Sequence, residues 1–235
     1  MVRPIPDNSQ TEPFDIVDRA PFNLAQFIHP DRFSAFMDAS NQNVGIAENL
    51  YIWNIQVSAA FWGGFHILEI TLRNVIHEKF REHANVEEWW DTDLPIHDGD
   101  RGSVQEAVAK VNEDKKSPTP GHVIAELNLG FWVGLFANNY HSALWKGRLE
   151  YVFPNFSGQR KELHSDLERL RKLRNRIAHH EPICFINGFP TKDTTFARQH
   201  YTLILQLFQW MSINESALLY GIDHINSVCN QIDNL

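Results

Sequence analysis

The residues of this chain best suited to chemistry lie together in LRKLRNRIAHHEP, positions 170–182. On a helix that turns ~100° per residue, Leu163, Leu167, Leu170, Leu173 and Ile177 share one apolar arc about 120° wide. Arg174 falls inside that arc, toward its Leu167 edge. A guanidinium aimed at a core without a partner is costly, so Arg174 needs a carboxylate, a cavity with water, or an anionic ligand. Arg171, Asn175 and His179 lie on the flank beyond, at i, i+4 and i+8. His179 and His180 fall in the last turn, where unpaired carbonyls and the negative end of the helix dipole favour a cation. Imidazole exchanges protons near neutrality. Cleavage of RNA by its own 2′-hydroxyl needs a base for that hydroxyl, an acid for the leaving 5′-oxygen and cations around the phosphorane. Arg174, Asn175 and His179 supply those group types without a metal. Arg174 and His179 diverge by about 140° around one helix. Either the long arginine side chain spans the gap, or two copies of the motif meet across a dimer. The plainer alternatives are a histidine helix cap and a stabilising ion pair with no catalytic role.

The elements that must position these groups read as helices. Gln159 to about His180 forms one, ended by Pro182, since the residue before proline avoids helical geometry. From Asn43 to about Ala84 apolar residues recur at helical spacing, and Asn54 is expected to cap a second helix within this stretch. Phe61, Phe65, Leu68, Leu72 and Ile76 form the apolar face of that second helix, with Glu69 at its edge and Arg73 one turn on. Glu69 is therefore the expected partner of Arg174 or of Arg73. Gly63-Gly64 marks a weak spot or a close approach of another helix. Further helices are predicted over 31–39, 103–112, 121–146 (two, broken near Gly130 or Asn138-Asn139), 193–211 and 214–232, with a loop at 85–102 and a turn at GFPTK. Only CFI at 184–186 hints at a strand. The fold class expected is an all-α bundle, residues 25–235, behind a loose polar arm, residues 1–24.

Composition narrows the function classes. The chain has 235 residues, 43% of them hydrophobic, enough to bury a real core. Two cysteines, Cys184 and Cys229, without a C-x-x-C, argue against a zinc ribbon or a disulfide framework and suit a reducing, cytoplasmic setting. The opening MVRPIPDNSQTEPFD has no apolar run of a secretory signal, and no uninterrupted apolar stretch of about 18 residues suggests a membrane span. Net charge is −8, yet residues 160–176 carry seven basic and three acidic side chains. One basic segment on an acidic body suits a focused anionic target better than a broad nucleic-acid face, although a solvated helix face would look the same.

Other signals carry less. His77-Glu78 and His83 mimic a zinc-hydrolase motif, but six positions separate the histidines where four are required. No glycine-rich phosphate loop follows a strand. Phe131, Trp132, Leu135 and Phe136 are expected in the core rather than as a base-stacking platform. Trp89-Trp90 are adjacent, so one of them is expected at a contact surface.

Arg174-Asn175-Arg176-Ile177-Ala178-His179 is R-x4-H with Asn directly after the Arg. In a late helix of an all-α chain, this resembles the HEPN superfamily, and more narrowly the bacterial Abi-like (abortive infection) family. LYIWNIQVSAAF at 50–61, LEITLRNVI at 68–76, VIAELNLGFWVGLF at 123–136 and LHSDLERLRKLRNRIAHHEPI at 163–183 carry the likeness. It implies a HEPN-type bundle with extra N-terminal and inserted helices. It implies a metal-independent, cofactor-free endoribonuclease of antiphage or toxin type, active as a homodimer and restrained by an antitoxin protein or RNA. Arg174, Asn175 and His179 would be catalytic, with His180, Glu69 and Arg73 in support. Arg171, Lys172 and Arg176 would bind RNA. The echo Arg73-Asn74-Val75-Ile76-His77 has only three residues between Arg and His and reads as core support. The alternative is a non-catalytic helical binding module, or the partner subunit of a toxin–antitoxin or antiphage system.

Overall fold

A computed structural model describes residues 24–114, 117–186 and 189–234. The arm expected over residues 1–24 therefore lies outside the described residues except at its last position. The class is all-α, as expected, with one short hairpin among the described residues.

Helix α1 (Pro30–Ala39) leads into α2 (Val44–Ala84), the axis of the molecule. The Asn43 side chain caps α2 by accepting from the Ile46 N–H at 3.1 Å. Left-handed Asn85 closes it, its N–H donating to the Arg81 carbonyl. Forty-one residues give a rod about 60 Å long. Ala47, Leu50, Trp53, Val57, Phe61, Phe65, Leu68, Leu72, Ile76 and Phe80 line its buried face at three- and four-residue steps. Around this rod pack α1, α4 (Pro120–Glu126), α5 (Leu129–Gly134), α7 (Thr195–Trp210) and α9 (Ile225–Asp233).

Asn54 does not restart a helix. It is buried inside α2, and its Oδ1 accepts the Ile183 N–H at 2.7 Å, anchoring the chain just beyond the R-x4-H segment. A buried N–H must find an acceptor, and the helix supplies it from its side. Gly63 and Gly64 do not break α2, and neither marks a close approach, since an added Cβ would make only ordinary contacts. A Cβ on Gly64 would meet Ile204 of α7 at 3.8 Å, and one on Gly63 would meet Ile222 at 3.6 Å.

Three boundaries differ from the sequence expectation. Helix α3 (Asp98–Asp114) begins five residues before Ser103, because Asp98 and Asp100 suit a helix N-terminus and Gly99 and Gly102 face open space. Residues 189–192 form strand β2 (Phe189–Lys192), antiparallel to β1 (Phe185–Ile186), where a turn was expected. Asn214 caps only the short α8 (Glu215–Leu218), and positive-φ Gly221 separates it from α9. The break between α4 and α5 falls at Leu127-Asn128, where the Asn128 side chain accepts from the Phe131 N–H.

Helix α6 (Arg160–Ala178) carries the chemistry-bearing segment. Gln159 and Glu162 form a reciprocal capping box at its start. Arg160 is buried and donates to the Phe136 carbonyl and to Asn138 Oδ1. The first bond satisfies a backbone carbonyl left free beyond α5, and the second ties in the Asn138 side chain. Leu163, Leu167, Leu170, Leu173 and Ile177 are buried, as the wheel requires, and α6 packs against α5 and α7.

Candidate active-site cleft

Along α2, Trp62, His66, Glu69 and Arg73 stand at i, i+4, i+7 and i+11, one stripe on one face. This stripe and Arg174 of α6 line an open cleft of about 670 Å³, with Ile222 contributing part of the wall. Arg174 Nη2 lies 3.9 Å from Glu69 Oε2, the ion pair anticipated between α6 and α2. At that distance the pair is coulombic rather than a close hydrogen bond. The Arg174 guanidinium carbon also sits 5.7 Å from the centroid of the Trp62 indole, within cation–π range.

Arg174 is not sealed in the core: 34% of its side chain and 22% of that of Glu69 remain exposed. The guanidinium leaves the apolar arc at its edge and opens into the cleft. Its Nε, like that of Arg73, is nonetheless buried with no hydrogen-bond acceptor among the described residues. A buried donor left unsatisfied costs about 1–3 kcal/mol.

The far end of the motif is built differently. His179 is the C-cap residue of α6, with an exposed side chain that does not line the cleft. Its carbonyl accepts from Arg32 Nη1 at 2.9 Å. His180 is exposed and left-handed, with φ 57°. The His180 N–H donates to the Ile177 carbonyl and the Glu181 N–H to the Arg176 carbonyl, the paired bonds of a Schellman closure. Asn175 is half-buried, and its carbonyl accepts the His179 N–H. The structure thus brings Arg174, Glu69 and Arg73 together, and sets Asn175, His179 and His180 along the exit from the helix.

The three residues expected to bind RNA differ in availability. Lys172 is exposed. Arg171 donates through two nitrogens to both oxygens of Glu168, each at 2.9 Å, and this pairing holds the Glu168 carboxyl below its usual range. Arg176 donates to the Pro182 carbonyl, lies 3.3 Å from Glu181 and covers Phe196 at 5.1 Å, so it fastens the turn after α6.

Elsewhere, His77 accepts the Trp89 indole N–H at 3.0 Å, and burial holds its imidazole below the ordinary range. The echo motif is therefore split: Arg73 faces the cleft, whereas His77 braces the Trp89 loop. Trp89 and Trp90 are both buried, contrary to the expectation of one at the surface. A 3-10 turn over Trp89–Asp91 orients the two rings edge to face, 5.2 Å apart, so neighbours can share one core. Phe131, Trp132, Leu135 and Phe136 are core residues, as expected. Among the described residues, no group of three or more His, Cys, Asp or Glu lies together that could hold a metal ion, and no helix is long and apolar enough to cross a membrane.

Trp62 and His66 are the site residues that the apolar pattern alone does not reveal. Their signal was present in the four-member stripe continuing through Glu69 and Arg73. No family model, curated protein or solved structure matches the chain.

Proposed function

We propose that the chain is a metal-independent endoribonuclease of the HEPN, Abi-like kind, working in the cytoplasm as a homodimer. The observation that carries this reading is Arg174: an arginine paired to Glu69, flanked by Arg73 and open to a cleft large enough for a ligand. Glu69 fixes the guanidinium without consuming its donors, because the pair is long. The phosphodiester takes its place against Arg174 and Arg73, whose charges stabilise the phosphorane as it forms. A 2′-hydroxyl gives its proton to a general base, and the 2′-oxygen attacks phosphorus. The P–O5′ bond breaks, and an acid returns a proton to the leaving 5′-oxygen. The products carry a 2′,3′-cyclic phosphate and a 5′-hydroxyl. His179 is the acid/base of this scheme. It reaches the phosphate from the facing protomer, since in its own protomer it stands outside the cleft. Asn175 orients the phosphate, His180 stands beside it and Lys172 draws in RNA.

One observation favours a second reading, a non-catalytic helical binding module or partner subunit. Arg174 already has a carboxylate, and no histidine of the R-x4-H segment lines the cleft within one chain. Incubation of the protein and of His179→Ala with mixed RNA in EDTA separates the two. The ribonuclease reading expects cutting by the native chain and little by the variant. Equal cutting by both, or none by either, contradicts it.

A further inference from the structure

The cleft contains more than a phosphate site requires. Trp62 is a large apolar side chain left 41% exposed, on the same stripe as Glu69 and Arg73. An exposed indole beside two guanidiniums calls for a ligand with both a flat ring and an anionic group. The anion belongs to Arg73 and Arg174, whose guanidiniums both line the cleft. The flat ring belongs to Trp62, polarised by Arg174 at 5.7 Å. His66 lies one helical turn from Trp62, exposed on the cleft wall, where its ring can donate to a phosphate oxygen. Ile222 adds an apolar edge. The cleft volume of about 670 Å³ falls within the range of about 300–1,000 Å³ usual for small-ligand sites.

We propose that this cleft binds one unpaired nucleotide, its base stacked on Trp62 and its phosphate held by Arg73, Arg174 and His66. The proposal rests on the ribonuclease reading and narrows its substrate to single strands. A base within a duplex is covered on both faces and cannot reach an indole, whereas a splayed base can. The same chemistry is shared by a free mononucleotide and by a nucleotide within a single strand.

The test measures binding rather than turnover, with full-length His179→Ala in EDTA, by calorimetry. The probes are adenosine 3′-monophosphate, adenosine, inorganic phosphate, a single-stranded oligoribonucleotide and its duplex. The mononucleotide is expected to bind more tightly than either adenosine or phosphate, and the single strand more tightly than the duplex. A mononucleotide that matches the single strand would identify free nucleotides as a sufficient ligand, with the site confirmed. Trp62→Ala is expected to weaken mononucleotide binding roughly 5- to 100-fold, the usual worth of one base–aromatic stack. Trp62→Phe should restore most of it, with the melting temperature unchanged in both. Equal affinity of Trp62→Ala and the parent overturns the proposal. So does a duplex bound as tightly as the single strand, or a Trp62 variant that shifts only the monomer–dimer balance in sedimentation. The two readings fail separately. RNA cutting with no Trp62-dependent binding removes this proposal alone, whereas Trp62-dependent binding without any cutting removes the ribonuclease reading alone.

Discussion

Arg32 on α1 donates a hydrogen bond to the carbonyl of His179, across 147 residues of sequence, at 2.9 Å. A guanidinium at the C-terminus of α6 answers both a free carbonyl and the negative end of the helix dipole. The bond therefore sets the backbone of the histidine to which the proposed reaction assigns proton transfer. Arg32→Ala is expected to cost roughly 0.5–1 kcal/mol. It lowers the melting temperature by a few degrees and lowers RNA cleavage more than that loss of stability explains. Affinity for a mononucleotide should stay at the parent value, because the cleft lies at the other end of the motif. Thermal melting, cleavage rate and calorimetry on the same preparation check this. Cleavage unchanged in Arg32→Ala would show that the anchor does not matter.

His180 occupies a position that favours glycine. Its φ of 57° closes the Schellman turn after α6. Left-handed geometry costs a side-chain-bearing residue about 1 kcal/mol relative to glycine. His180→Gly should therefore raise the melting temperature by a few degrees, and β-branched His180→Val should lower it. If His180 assists the reaction, His180→Gly becomes more stable and less active together. A less stable glycine variant would contradict the turn geometry.

Acid sensitivity follows from three histidines. Burial is the first cause holding His77, His164 and His200 below the ordinary imidazole range. In the unfolded chain they titrate near 6.5. As pH falls below that value, the unfolded state takes up protons before the folded state does, so stability declines. The contribution is complete above the unfolded value and is lost progressively until pH passes the folded values. Melting temperature should drop between pH 7 and pH 5.5. His77→Asn keeps an acceptor for the Trp89 indole and should flatten part of that drop. Identical melting curves across this window would contradict the burial argument.

Much of this architecture was legible in the sequence, because helical periodicity reports which face is buried. The leucine arc of α6 and the Phe61–Ile76 face of α2 are buried as read, and Glu69 meets Arg174. What the sequence concealed were contacts between distant segments. Asn54 resembles a cap until Ile183 is seen to need its acceptor. As sequence neighbours, Trp89 and Trp90 are expected on different faces, yet a 3-10 turn sets their rings edge to face in one core. Arg174 falls within the apolar arc on a wheel, but its long side chain, near the edge of that arc, reaches solvent. Trp62 and His66 were concealed for another reason: the apolar run around them masks a stripe that becomes a cleft wall only when Arg174 stands opposite.

In the proposed reaction, Arg174 and His179 act on one phosphodiester from facing protomers. Two inactive variants, Arg174→Ala and His179→Ala, mixed and allowed to exchange subunits, test it directly with RNA in EDTA. Each mixed dimer then holds one site with an intact Arg174 opposite an intact His179. Random exchange is predicted to restore about a quarter of native cleavage. A mixture that stays as inactive as either variant alone, despite demonstrated subunit exchange, would contradict it.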